Sequence, residues 1–202
     1  MKPRRPPTLD GRFKHIIDTN HGTFRGLVRT MLAQSEFVLG RLENHLHPDE
    51  KKTERLVFVC LGNINRSAFA AQVARDLGAT AVSIGLSTTT GASAFHKAVT
   101  TAPEFGVDLS QHLATDLKDY DFRPTDLLLA MEIRHAKQLV SAGIPSQSIA
   151  LLGHWASPHR IHLHDPHTLS DAYFRTCFAL IASAVRGLAA DLRQSGSPAI
   201  TL

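Results

Sequence analysis

The chain is poor in cysteine, in long apolar runs and in excess charge. It has 202 residues and only two cysteines, Cys60 and Cys177. Two cysteines cannot build a disulfide framework, and their scarcity suits a reducing, cytoplasmic setting. No apolar run approaches the ~20 residues that cross a bilayer, so no membrane span is expected. The basic start MKPRRPPTLDGRFK has no apolar stretch after it and does not read as a secretion signal. Net charge is a modest +4. Lys and Arg form no dense run interleaved with aromatics, so nucleic acid is not expected as a partner. What the chain does have is a hydrophobic content of 43%. That is enough for a real core, and the length predicts one domain with an appendage.

The composition shifts near residue 54. Residues 47–54, HPDEKKTE, are charged, carry a proline and read as a linker. Before them, Phe24, Leu27, Val28, Met31, Val38, Leu42 and Leu46 recur at three- and four-residue steps. That spacing predicts one amphipathic helix over about 23–46, with Asn20 or Thr23 capping its start. The first seven residues hold three prolines and are expected to be disordered. The organisation is then an extension over 1–54 and a catalytic domain over 55–202.

From residue 55 onward, short apolar strands alternate with helical patterns. Strands are expected at 55–60, 80–86, 125–131 and 147–153, and helices at 67–77, 93–105, 132–142 and 168–194. Alternation of this kind implies an α/β fold, a four-stranded parallel sheet with helices on both faces. Ligands of such sheets sit beyond the carboxyl ends of the strands, which is where Cys60 falls.

The stretch VFVCLGNINRSA, residues 57–68, joins the first strand to the first helix of that pattern. Backbone N–H groups of such a loop converge, and the helix N-terminus adds positive potential, so together they form an anion site. Gly62 can adopt angles closed to other residues. Asn63 tolerates left-handed geometry better than most. Arg66 can grip an oxyanion with two parallel hydrogen bonds. A cysteine in that field loses its proton readily, and Ser67 can donate to the resulting thiolate. A lone cysteine at a strand end is ordinarily a buried, inert residue. The Gly, Asn, Arg and Ser around this one favour a nucleophile in an oxyanion cradle. The missing Gly-Lys-Ser/Thr excludes a Walker-type nucleotide loop.

The segment VFVCLGNINRS resembles the signature of the low-molecular-weight protein tyrosine phosphatases, which share their fold with one class of arsenate reductases. SIGLS (83–87), GVDLSQHLA (106–114), DLLLAME (126–132), ALLGHW (150–155) and HDPH (164–167) resemble further elements of that family. The resemblance covers about 55–194 and leaves 1–54 unexplained. It implies a phosphomonoester hydrolase acting through a phosphocysteine, with no metal or cofactor. Cys60 would be the nucleophile and Asp165 the acid, later base. Arg66 and the loop residues Leu61, Gly62, Asn63, Ile64, Asn65 and Ser67 would hold the substrate phosphate. Ser83 and His112 would support Asn63. On residue type alone Asp165-Pro166 is an ordinary turn, and Asp119, Asp121 and Asp126 are rival carboxylates read as loop and strand-entry residues. The expected substrate is a phosphorylated protein or a small phosphate ester.

Three departures from the family pattern stand out. Asn65 replaces a cysteine present in many members, so no neighbouring thiol can resolve an oxidised Cys60. Ala68 stands where proline is common. The positions that would form aromatic walls of the substrate slot read STTTG (87–91, with Thr89) and His167-Thr168, which removes stacking partners for a phenyl ring. His154, His159, His162, His164 and His167 crowd one segment. Their spacing matches no zinc pattern, and they read as a solvated, pH-sensitive loop. Two alternatives remain open: an arsenate reductase, disfavoured because Cys177 lies in a helix pattern, and a non-catalytic phospho-ligand binder. An amphipathic helix must hide its apolar face, so the extension either packs on the domain or forms a homodimer.

Overall fold

A computed structural model describes residues 9–200. The expectation of disorder for the first seven residues lies outside that range. Four parallel strands form the sheet in the order β2-β1-β3-β4: β1 Arg55–Cys60, β2 Ala81–Gly85, β3 Asp126–Ala130 and β4 Ile149–Leu151. β1 is central, pairing Phe58 with Ser83 on one side and with Leu129 on the other. It is fully apolar after Arg55, as a strand covered on both faces must be.

Helices cover both faces. α3 (Arg66–Asp76), α4 (His96–Thr101) and α6 (Asp171–Ser195) share one apolar layer with Leu56, Phe58, Leu127 and Leu129. Within it Phe69 stacks on Phe178 at 3.9 Å between centroids. α5 (Ile133–Ser141) covers the opposite face, against Val57, Val59 and Leu128. Helix termini follow their local chemistry. Ser170 caps α6 by accepting from the Tyr173 amide, and Gly196 ends it in a left-handed conformation. The helix expected over 93–105 is shorter. α4 ends at Thr101 and a 3₁₀ turn containing Pro103 follows, because proline lacks the amide that would continue the ladder.

The extension differs most from expectation. It holds two helices, α1 (Leu9–His21) and α2 (Phe24–Val38), rather than one over 23–46. Gly22, at φ 75, makes the corner between them, and Thr23 caps α2 by accepting from the Gly26 amide. Gly40, at φ 69, lies two residues past the end of α2. Leu42 and Leu46 are therefore not helical neighbours of Val38. They lie in the apolar cluster of the α5 face, with Ala33. The segment read as a linker, 47–54, is largely exposed and is tied at its end, where Thr53 is buried and its carbonyl accepts from Ser197; just before it, His45 meets the Ile149 carbonyl at 3.1 Å.

α2 also presents its faces in reverse. Gly26 and Ala33 are buried, whereas Phe24, Met31 and Val38 are 65%, 64% and 75% exposed. The predicted apolar stripe points to solvent.

Candidate active site

β1 ends on Cys60 and α3 starts at Arg66, so the five residues between them turn at the carboxyl edge of the sheet. Asn63 makes the turn at φ 51, in the left-handed region. Gly62 does not adopt positive φ, contrary to expectation. A Cβ there would meet only the Ile64 side chain, at 3.5 Å. Gly85 provides the close approach instead: a Cβ would lie 2.8 Å from Thr88 and 3.0 Å from the Leu61 carbonyl.

The Cys60 sulfur lies 3.0 Å from Ser67 Oγ and accepts from the Asn63 amide at 3.3 Å. Asn63 Nδ2 donates to Ser67 Oγ at 2.9 Å and to Ser83 Oγ at 2.8 Å. With a lone pair of Ser67 taken by Asn63, its hydroxyl proton is free to point at the sulfur. Asn63 Oδ1 accepts from the Thr115 amide, and its carbonyl accepts from His112 Nε2 at 2.7 Å. Burial lowers the His112 pKa, which keeps the ring a neutral donor. Ser83 and His112 thus meet Asn63 as the sequence suggested. Thr115 was not foreseen, since a backbone donor leaves no mark in residue type.

Arg66 is completely buried. Its NH1 donates to Glu132 Oε1 at 2.6 Å and to the Leu163 carbonyl at 2.8 Å. Nε and NH2 make no hydrogen bond, although NH2 lies 2.8 Å from Asp165 Oδ2. Burial opposes the guanidinium charge, and Asp165 and Glu132 outweigh it, so Arg66 stays charged. Burial by itself would raise the Glu132 pKa. The neighbouring Arg66 and Arg134 hold it well below the carboxylate range. Glu132 escaped the sequence reading, yet it lies two residues past the end of β3, at the carboxyl edge of the sheet, and that placement was its signal.

Cys60, Leu61, Gly62, Ile64, Asn65, Ser87, Asp165 and His167 line a cavity of about 180 Å³. Asp165 is partly exposed, and its Oδ1 accepts from the His167 amide. Thr89 and Thr168 do not line this cavity. Thr168 stands at φ 62 with its hydroxyl bonded to the His167 carbonyl, and Thr89 is exposed in a turn. Phe95, also unforeseen, backs His167 with ring centroids 4.5 Å apart. The histidine segment is not a solvated loop. His162 is buried, His154 and His164 are half-buried, and only His159 and His167 are exposed. Among the described residues no group of three or more metal-binding side chains converges. Asp126 is structural: it pairs with Arg55 at 2.7 Å and accepts from Tyr120 and the Arg123 amide. Cys177 is buried in α6, and burial pushes its thiol up to about 12.

The family described as low molecular weight phosphotyrosine protein phosphatase matches residues 55–197. The chain belongs to that family. The Wzb phosphatase of Salmonella typhi is 30% identical over 148 residues, 71% of this chain and 98% of that protein. The crystal structure of the AmsI tyrosine phosphatase of Erwinia amylovora aligns with a TM-score of 0.59 at 26% identity, over 67% of this chain and 90% of that one. The Wzb structure from Escherichia coli K30, in complex with sulphate, aligns at 0.60 and 27% identity, over 69% and 99%. This low-molecular-weight phosphatase is therefore a cysteine-based hydrolase with about fifty extra residues ahead of the matched region.

Proposed function

We propose that the chain hydrolyses a phosphorylated protein or a small phosphate ester, with Cys60 as nucleophile, Arg66 as oxyanion grip and Asp165 as proton donor. The observation that carries this is the Arg66 fork. NH1 is anchored to Glu132 and Leu163, Nε is buried without an acceptor, and NH2 faces the Asp165 carboxylate at 2.8 Å on the cavity side. Those two donors form the side of a guanidinium that takes two oxygens of one phosphate. Cys60 and Asp165 line the adjoining cavity.

In the first step the Cys60 sulfur bonds to phosphorus, the ester P–O bond breaks, and the Asp165 proton passes to the leaving oxygen. In the second, water attacks phosphorus, the S–P bond breaks, and Asp165 takes the water proton. Ser67 donates to the sulfur when it leaves as thiolate. Cys60→Ser is expected to abolish turnover of an aryl phosphate and to retain vanadate binding. Turnover near the wild-type rate in that variant would refute a covalent mechanism, and wild type without turnover would make the chain a binder. Cys177 is buried with a raised thiol pKa, which gives an arsenate-reducing thiol relay no support.

The slot offers His167 as its one ring, backed by Phe95. Preference for phosphotyrosine peptides over non-aromatic phosphate esters is therefore expected to be small, as kcat/KM on both classes will show. Among the described residues no helix is long and apolar enough to cross a membrane. A cytoplasmic setting is proposed because the mechanism needs Cys60 reduced. The exposed stripe of Phe24, Met31 and Val38 supports self-association through α2. Sedimentation equilibrium should show a dimer in wild type and a monomer in Met31→Glu; a monomeric wild type at high micromolar concentration would end that idea.

A further inference from the structure

The α1–α2 hairpin lies outside the family match, yet it packs on the segment that carries Asp165. Arg160 NH1 donates to the Asn20 carbonyl near the end of α1. Gln34 Nε2 lies 3.3 Å from His159 Nδ1, and the Phe37 ring packs on His159 with centroids 4.5 Å apart. Thr23 Oγ1 lies 3.5 Å from His164 Nε2. Two glycines let the hairpin come this close. A Cβ on Gly26 would stand against the His21 carbonyl of the hairpin itself and 2.7 Å from the His164 ring, and one on Gly22 would stand 2.6 Å from Leu169 and 2.7 Å from Tyr173.

These contacts bracket the acid. His164 precedes Asp165 directly and Leu169 lies four residues after it. The catalytic domain itself holds one side of His164, where Tyr173 donates to its carbonyl at 3.1 Å. The hairpin holds the ring side. Asp165 sits between these supports on a partly exposed turn, with Pro166 next to it and Thr168 in a left-handed conformation. Its carboxylate meets Arg66 NH2 at 2.8 Å and the His167 amide at 3.2 Å, but the backbone of the turn depends on its flanks for position, and proton transfer requires hydrogen-bond reach to the leaving oxygen.

We propose that the hairpin is a clamp that positions the Asp165 loop, with His164 and Arg160 as positioning residues. The proposal rests on the reading of Asp165 as the acid. A clamp of this kind acts on protonation of the leaving group and leaves the oxyanion cradle alone. Loosening it should therefore penalise poor leaving groups selectively, a signature that a purely structural role would not give.

The test compares kcat/KM for phosphotyrosine and for p-nitrophenyl phosphate in wild type, Gly26→Ala, Arg160→Gln, Arg160→Lys and Asp165→Asn. Thermal melts identify any variant that has lost its fold. Gly26→Ala drives a methyl against the His21 carbonyl and His164 and so displaces the hairpin, and Arg160→Gln removes the tie to α1 without adding bulk. Each is expected to lose about tenfold on phosphotyrosine, with less than about threefold on the activated ester, a fraction of the 10²–10⁴-fold that acid catalysis supplies. Arg160→Lys, which can still reach a carbonyl, should recover part of the loss. Vanadate inhibition should be unchanged in Gly26→Ala and in both Arg160 variants. If Asp165→Asn shows the selective loss while Gly26→Ala and Arg160→Gln keep the wild-type ratio of the two substrates, the clamp is overturned. Equal losses on both substrates would also overturn it. If Asp165→Asn itself shows no selectivity, the acid assignment falls first and the clamp falls with it.

Discussion

Under the proposed mechanism, Arg66 is held by the fold, through Glu132, in the place where the reaction would need it. Glu132 Oε1 receives Arg66 NH1, and Oε2 pairs with Arg134 Nε at 2.7 Å. The paired carboxylate fixes the rotation of the guanidinium, so the unpartnered Nε and the NH2 that faces Asp165 lie on one side of it. This is preorganisation in the usual sense: donors are set before charge develops. An ammonium cannot copy it, because a single nitrogen has no planar fork to divide between Glu132 and a phosphate. Arg66→Lys is therefore expected to lower kcat by about 10²-fold or more, in line with the loss of one oxyanion donor. It should also lower the melting temperature, since Glu132 would keep a poorer buried partner. Steady-state kinetics beside a thermal melt check both. Near-normal kcat with a lowered melt would make Arg66 a structural residue only.

At the scale of elements, the sheet and the β1–α3 loop were legible because their signals are local. Leu56 to Val59 is an unbroken apolar run, and Arg66 opens a helix whose Ala and Phe residues are buried. The extension misled for a physical reason. Periodicity reports which residues share a face of a helix, not which way that face points. Phe24, Met31 and Val38 do share a face, but the face that packs inward is built from Gly26, Ala33 and Phe37, and the first two carry little hydrophobic signal. Close packing needs small residues there, as the position of Gly26 against His164 shows. Gly22 and Gly40 were the readable breaks, since both stand at positive φ where the helices turn or end. Cys60, Asn63, Ser67, Ser83, His112 and Asp165 were proposed from motif residues, which carry their identity in sequence, and the structure places them around the β1–α3 loop. Glu132 and Phe95 were missed because their roles arise from tertiary contacts with Arg66 and His167. Thr89 and Thr168 were placed in the slot by position, but neither lines the cavity, and Thr168 stands in a left-handed conformation.

Over the whole molecule, the site stands on a buried polar knot that joins the two faces of the sheet edge. Besides Arg66 and Arg134, Glu132 has His135 Nε2 at 3.7 Å and His162 Nε2 at 3.9 Å. Both rings are buried, and neither of these nitrogens has a hydrogen-bond partner. Burial, reinforced by the Arg66 charge, pushes the His135 pKa down to about 3 and that of His162 to about 4. In the unfolded chain both should titrate near ~6.5. Between those limits the unfolded chain binds protons that the folded one refuses, so stability falls as pH falls. Glu132 acts in the same direction below its ordinary value, because its folded pKa is depressed. Near pH 5 the two histidines together should contribute a slope on the order of 2 kcal/mol per pH unit, after allowance for relaxation around them. Above pH 7 none of the three groups titrates, and their contribution is flat. Denaturant midpoints should accordingly be constant from about pH 7 to 8 and fall steeply from about 6.5 to 4. His162→Gln should remove part of that slope and leave the Glu132 part, which begins lower. Midpoints that stay level down to pH 5, or a His162→Gln profile parallel to wild type throughout, would show that protons enter the knot without opening the fold.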